Sequence, residues 1–252
     1  VVEVDTEMRA ASLSKKDIAA VFFDFAAAFP SLAHDFLHDT LEYLGLPPAF
    51  RLFAANLYFG NGCRISAGGE LHGGFSIRAG IRQGCPLSPL LFAFTADLLL
   101  RRLRRALPEE VLQAYADDLA LVTGDLGKAA AEFVPLFADF ALISGLELNL
   151  QKTAFVLLGD SEHEAVRMRL AEAFPGWGAA GYRGWAEYLG FVLGLERADQ
   201  GWEKALRKHG GRAELWSQVA LGLQFATLAY NVYIVSLLGF RLQLQRVSPT
   251  CS

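Results

Sequence analysis

An α+β fold is predicted by three observations. One fully apolar strand ends in a carboxylate, a second pair of apolar segments meets at two more carboxylates, and helical stretches lie among the strands without the regular alternation of a parallel βαβ array. Hydrophobic residues make up 53% of the 252-residue chain and charged residues 20%, with 19 Phe. That composition fills a sizeable core and excludes a disordered tail or a fibrous repeat.

Ile18–Phe23 is an apolar run ending at Asp24, the pattern of a strand buried on both faces. Helical spacing covers Asp35–Leu44, stopped by Gly45 before Pro47-Pro48, and returns from about Ala49 to Phe59. Cys63–Ala67 and Phe75–Ala79 read as two strands, joined by a turn that contains Gly68-Gly69 and Gly73-Gly74. A loop from Gly80 to Cys85 leads into Ser88-Pro89, a helix start with Ser as N-cap and Pro at the first position. That helix is apolar almost all round until its arginines.

Leu112–Ala116 and Leu119–Thr123 flank Asp117-Asp118 like a hairpin with carboxylates at its tip. A helix is expected from about Lys128 to Ser144, closed by Gly145, then a strand at Ala154–Leu158. Ser161–Glu164 forms a capping box opening a helix to about Phe174. Tyr188–Leu193 is expected as one strand, with helical material after it.

The formal net charge of −4 runs against nucleic-acid handling unless positive charge is local. Two runs are local: Arg101, Arg102, Arg104 and Arg105, and Lys204, Arg207, Lys208 and Arg212. Either run alone also reads as a solvated helix face. Cys63, Cys85 and Cys251 show no metal-binding spacing and read as free thiols in a reducing compartment. The first residues lack the pattern of a signal peptide, so an intracellular location (cytoplasm or nucleus, not secreted) is expected, and no initiator Met is present. Leu215–Phe240 carries no charge and is long enough to span a bilayer. Its Gln218, Gln224, Thr227, Asn231 and Ser236 favour a pair of buried helices, with a membrane span as the alternative.

Three carboxylates near the ends of apolar strands are costly unless paired, hydrogen-bonded or bound to metal. If the strands are neighbours, Asp24, Asp117 and Asp118 converge and raise one another's pKa unless a cation intervenes. An oxygen-only set without His or Cys suits Mg²⁺ or Mn²⁺. A two-ion site of that kind supports phosphoryl transfer. Taken singly, Asp117-Asp118 also reads as an ordinary turn, and Asp24 as a cap or turn residue.

Tyr115-Ala-Asp-Asp118 resembles the signature hairpin of reverse transcriptases, and Phe22-Phe-Asp-Phe-Ala-Ala-Ala-Phe29 resembles their first catalytic strand. Gly80-Ile-Arg-Gln-Gly-Cys-Pro-Leu-Ser-Pro89 is similar to the form carried by non-LTR retrotransposon (LINE-like) enzymes. Ser144-Gly-Leu-Glu-Leu-Asn-Leu-Gln-Lys-Thr153 and Tyr188-Leu-Gly-Phe191 are similar to the next two motifs, in the family's order. The resemblance spans roughly residues 15–195.

It implies a polymerase palm, an antiparallel sheet with packed helices, over residues 1–196 with little of the fingers. Residues 197–252 would form a helical extension like the start of a thumb. It implies RNA-directed DNA polymerase activity with Mg²⁺ (or Mn²⁺), an RNA (or DNA) template, a DNA primer and dNTPs, and implies neither a membrane nor a protein partner. Asp24 and Asp117 would hold metal together with the carbonyl of Phe25, and Asp118 would assist. Phe29 would gate the sugar, or else serve as core. Arg82, Gln83, Gly84 and Lys152 would meet the nucleotide, and Tyr188, Leu189 and Gly190 the primer.

Two departures stand out. Pro30 occupies the position six residues after Asp24 where many relatives carry Asp, and only 23 residues precede Asp24 where fingers are expected. Residues 1–252 alone are therefore expected to be a poor polymerase. The rival expectation is a non-catalytic remnant that at most binds nucleic acid.

Overall fold

The computed structural model describes residues 1–12, 18–158, 163–195, 200–220 and 222–243. The first half runs α1 (Val2–Ala11), β1 (Ala19–Phe23), α2 (Ala28–Ser31), α3 (His34–Tyr43), α4 (Pro48–Tyr58), β2 (Gly62–Ala67), β3 (Glu70–Ser76) and α5 (Ser88–Ala106). There follow β4 (Val111–Tyr115), β5 (Asp118–Thr123), α6 (Leu126–Ser144), β6 (Ala154–Leu157), α7 (His163–Ala173) and β7 (Gly181–Arg183). The last part holds β8 (Trp185–Tyr188), β9 (Phe191–Gly194), α8 (Gln200–Ser217), α9 (Leu223–Ala229) and α10 (Ser236–Leu242).

Five strands form the main sheet in the order β4-β5-β1-β6-β7. All pairs are antiparallel except β6 with β7. β1 lies at the centre and every one of its residues is buried, which is why it reads as an unbroken apolar run. Its side chains alternate between two cores. Ala19, Val21 and Phe23 join Phe92, Phe133, Phe140 and Phe155 on one face, under α3, α5 and α6. Ala20 and Phe22 join Ala120, Val122 and Val156 on the other, under Val4 and Met8 of α1 and Tyr188 and Phe191 of the β8–β9 hairpin.

The mixed strands and helices of the α+β expectation are present, with four differences outside the candidate site. α1 was not foreseen, because only Val4 and Met8, one turn apart, are buried in it and its other apolar residues form no stripe. β3 starts at Glu70, so the turn is Gly68-Gly69 alone and Gly73-Gly74 lie within the strand. A Cβ on Gly74 would sit 1.5 Å from the Cys63 carbonyl oxygen, so glycine serves close strand approach there. Ser88 is the first residue of α5 and Leu87 its cap; the Ser88 hydroxyl donates to the Arg82 carbonyl at 2.6 Å and fastens the preceding loop. Ser161 and Glu162 of the expected capping box lie outside the described residues, as does Cys251.

The fourth difference concerns the C-terminal helices. α9, a π-helical turn (Tyr230–Val235) and α10 form one continuous run from Leu223 to Leu242, not a pair of buried helices. The run is long and apolar enough to cross a membrane by length and composition, and 11% of its most apolar stretch is buried. The scattered polar residues of the segment favour burial over a span, but burial requires a partner surface, and here the run meets mainly α8.

Candidate active site

β1 and the β4–β5 hairpin bring the three aspartates to one end of the sheet. Phe22 pairs with Ala120 and Phe23 with Leu119, so the next opposed residues are Asp24 and Asp118. Tyr115 pairs with Asp118, which leaves Ala116-Asp117 as the two-residue tip. By alternation, Asp24 shares the face of Ala20 and Phe22, and Asp118 the face of Ala120 and Val122. Directly opposed residues of antiparallel strands have Cβ atoms about 4.5–5.5 Å apart.

The electrostatics agree with this placement. Partial burial, then the charge of Asp117, then that of Asp24, push the Asp118 carboxyl above its ordinary pKa. Burial, then the charge of Asp118, push the Tyr188 phenol up to about 12. The Tyr188 ring lies 5.3 Å from that of Phe22. Asp24, Asp118 and Tyr188 therefore form one neighbourhood on the thinly covered face.

Behind Asp24 the backbone is clamped to the segment before β6. Asn149 N–H donates to the Asp24 carbonyl at 2.7 Å and Ala26 N–H to the Glu147 carbonyl at 2.8 Å, an isolated bridge that pairs Phe25 with Leu148. Because these bonds use Asp24 and Ala26, the N–H and carbonyl of Phe25 face the opposite way, toward the hairpin side. Asp24 N–H also donates to the Thr153 hydroxyl at 3.4 Å, and that buried hydroxyl donates to the Asn149 carbonyl at 3.0 Å. The Lys152 ammonium stands 4.0 Å from the Asp24 carboxylate with 70% of its side chain exposed, so the ion pair is loose.

The Gly80–Cys85 loop is tied to the turn after Asp24, not to the aspartates. Gly80 N–H donates to the Leu32 carbonyl and Ile81 N–H to the Phe29 carbonyl, both at 2.7 Å. A Cβ on Gly80 would lie 2.4 Å from the Pro30 oxygen, so this approach requires glycine. Pro30 itself is accommodated in the single turn of α2. Phe29 is half-buried and stacks on Phe92, with centroids 5.1 Å apart and planes at 10°. Arg82 donates to the Asn61 side-chain oxygen at 2.6 Å, while Gln83 and Gly84 are exposed at the loop's tip, with Gly84 at φ 82°.

Tyr188 does not continue into a strand as expected. Leu189-Gly190 turns the chain between β8 and β9, with φ 49° and 82°. Among the described residues, the non-glycine positions with positive φ are Ala27, Ala116 and Leu189. All three lie beside the aspartates or on the neighbouring hairpin, and such strain gathers at functional sites. Nothing in Ala or Leu announces it, so sequence reading missed it; Asn149 and Thr153 were inside a noted motif, but their tertiary role was invisible.

Among the described residues, no three His, Cys, Asp or Glu side chains are gathered closely enough to hold a metal ion as they stand. The donor chemistry nevertheless fits a hard divalent cation: oxygen ligands alone, mutual repulsion at Asp118, and a backbone carbonyl turned to the same side. Asp117 and Asp118 are exposed.

Residues 3–193 match the family described as reverse transcriptase (RNA-dependent DNA polymerase). The Retrovirus-related Pol polyprotein from type-2 retrotransposable element R2DM of Drosophila melanogaster is 34% identical over 139 residues, 51% of this chain and 13% of that protein. The Transposon TX1 uncharacterized 149 kDa protein of Xenopus laevis is 31% identical over 153 residues, 56% of this chain and 12% of that protein. The chain thus corresponds to a small part of these relatives. Among solved structures, a truncated apo telomerase from Candida tropicalis superposes with a TM-score of 0.55 at 12% identity, covering 77% of this chain and 38% of that one. Telomerase from Candida albicans, in complex with a TWJ fragment of telomeric RNA, gives 0.53 at 12% identity, covering 78% and 34%. At such identity the likeness concerns fold, and that fold is the polymerase palm. With most of the chain inside the matched span, this protein belongs to the reverse transcriptase family, of the kind found in non-LTR retrotransposons.

Proposed function

We propose that this chain is the catalytic core of an RNA-directed DNA polymerase, transferring dNMP from a dNTP to a primer 3′-OH on an RNA template. The observation that carries the reading is the register of β1 against β5, which opposes Asp24 and Asp118 and sets Asp117 at the adjoining tip. In this reading residues 1–196 are the palm and 197–252 a thumb-like extension.

Asp24, Asp117 and the Phe25 carbonyl are the groups that would hold Mg²⁺, and Asp118 adds negative field beside them. Bound there, the cation would supply charge neutralisation at the attacking and leaving oxygens. The protein's own part is positioning. The Asn149 and Thr153 bonds fix the backbone of Asp24, and Lys152 stands near enough to neutralise or protonate a departing pyrophosphate. Phe29 presents a ring at the turn after Asp24, suited to exclude a ribose 2′-OH. Gln83 and Gly84 offer an exposed loop for the nucleotide, Arg82 a nearby cation, and the Tyr188–Gly190 turn a rest for the primer end.

The test pairs two readouts on wild type and on Asp24→Asn and Asp117→Asn. In primer extension on poly(rA)/oligo(dT) with Mg²⁺, measured in a chain extended with a fingers segment, each substitution is expected to lower incorporation at least about a thousandfold. Independently, Mg²⁺ or Mn²⁺ should raise the melting temperature of the wild type and not of either variant. Variants that incorporate dTMP as the wild type does, or gain the same thermal shift, would overturn the proposal.

A further inference from the structure

We propose a second nucleic-acid contact on the helical side of the sheet: a pocket for an unpaired nucleotide of single-stranded RNA, walled by α3, α5 and α6. α5 ends in four arginines that the polymerase reading does not use. Three of them, Arg101, Arg102 and Arg105, rim a cavity of about 310 Å³ together with Phe36, Tyr43 and Phe140. Phe36 and Phe140 meet edge to face, 5.5 Å apart at 87°, and form an apolar wall. Tyr43 is 74% exposed at the rim.

These helices cover the core face that holds Val21 and Phe23, whereas Asp24 and Asp118 belong to the opposite face. The pocket is therefore separate from the candidate active site. Its charge is largely unsatisfied. Asp97 takes Arg101 at 2.6 Å, but among the described residues no carboxylate pairs with Arg102 or Arg105. Asp39 of α3 and Asp139 of α6 do not line the cavity, and Glu42 is engaged by Arg51. A protein of net charge −4 thus leaves two guanidinium groups without a carboxylate among the described residues, beside an aromatic wall.

That combination suits a base stacked on a ring with its phosphate on the guanidinium forks. An acidic peptide would satisfy the charge, but it would leave the exposed flat face of Tyr43 without a use. The volume also matches a single inserted group better than a docked helix. RNA is the polymer this family copies, so an unpaired strand is the ligand expected close by.

The test measures binding of a twelve-nucleotide oligouridylate to the whole chain by fluorescence anisotropy. Saturating RNA–DNA hybrid is present to fill the catalytic face. Arg102→Glu with Arg105→Glu is expected to weaken binding at least about tenfold, and Tyr43→Ala about tenfold. The double variant should also flatten the log–log salt slope by about 1.4, the value for two phosphate contacts on a single strand. Arg104→Glu is the matched control: it changes the same arginine run outside the cavity, and a change below about twofold is expected. Iodouridine in the oligonucleotide should cross-link to Tyr43, a readout that needs no variant to fold. Equal losses in Arg104→Glu and the double variant, or no loss in either, would refute the site, as would cross-links that avoid Tyr43. Tighter binding of a Glu-rich peptide carrying one Phe would assign the cavity to a protein partner and overturn it too. None of these outcomes bears on dNTP incorporation, so the polymerase reading stands or falls separately.

Discussion

The two faces of the central sheet are built to different standards. Under α3, α5 and α6, the rings of Phe92, Phe133, Phe140 and Phe155 are almost wholly buried. The other face has α1, with Val4 and Met8, and the short β8–β9 hairpin, and it gives way to half-exposed and exposed carboxylates at Asp24, Asp117 and Asp118. Among the described residues, the non-glycine positions in left-handed backbone conformations, Ala27, Ala116 and Leu189, lie beside these aspartates or on the neighbouring hairpin. The thick face supplies stability, and the thin face spends some of it on charge repulsion and strained turns.

The most damaging way to probe that division is Phe133→Ala. A fully buried ring removed from a packed core costs about 3–5 kcal/mol, with a melting temperature lower by roughly 10 °C. Val4→Ala, equally buried on the thin face, should cost about 1.6 kcal/mol, the value of two lost methyl groups. Chemical denaturation of both variants checks the contrast, and equal losses would remove it.

Sequence alone made the thick face legible, because buried strands and helices betray themselves by period. β1 reads as an apolar run since neighbours cover it on both sides. α6 was placed to within two residues at its start; Asp125, whose carboxylate accepts from Lys128 N–H at 3.1 Å, moves its cap upstream. The thin face was legible only in its chemistry. Asp24, Asp117 and Asp118 stand out as carboxylates ending apolar segments and again in the family's motifs, but the Leu189-Gly190 turn does not, since leucine carries no turn signal. The Thr153 contact to Asp24 spans 129 residues and has no local pattern at all. The exposed run from Leu223 to Leu242 misled for a related reason: apolar composition does not say whether a partner surface exists.

Thr153→Val tests whether that contact positions the catalytic strand. Valine keeps the volume and loses the hydroxyl that links Asn149 to Asp24. An incorporation rate lower by about 10–30-fold is expected, corresponding to ~1.4–2 kcal/mol, with KM for dNTP little changed. Thr153→Ser should restore most of the rate. If valine and serine reduce it equally, the hydroxyl is not the positioning group.

A smaller effect separates gate from core at Phe29. Its ring stacks on Phe92, so some stability is lost in Phe29→Ala on either account. A gate predicts more: in a chain extended with a fingers segment, the efficiency ratio of rNTP to dNTP incorporation should rise at least about tenfold, or ~1.4 kcal/mol of lost discrimination. An unchanged ratio in a folded, active variant would leave Phe29 as one more ring on the thick side.

The smallest effect is the most specific to the thin face. Asp118 is held above its ordinary pKa by burial first, then by the charges of Asp117 and Asp24. A raised carboxyl binds its proton more tightly folded than unfolded. Its favourable contribution is therefore complete below the unfolded value, about 3.9, and is lost as pH rises through the folded pKa. At neutral pH the ionised group opposes folding, so Asp118→Asn should raise the melting temperature. Asp118 is largely solvent-exposed, and screening keeps the gain to about 2 °C. The gain should vanish below about pH 4, where the wild-type carboxyl is also neutral. Mg²⁺ should narrow it at pH 7, since a bound cation relieves in the wild type the repulsion that the amide removes. Thermal melts at pH 3.5 and 7, with and without Mg²⁺, read all three effects. A variant that melts below the wild type at pH 7 would show that Asp118 makes a favourable contact outweighing the repulsion, and the picture of a strained, cation-seeking end of the sheet would fail at this residue.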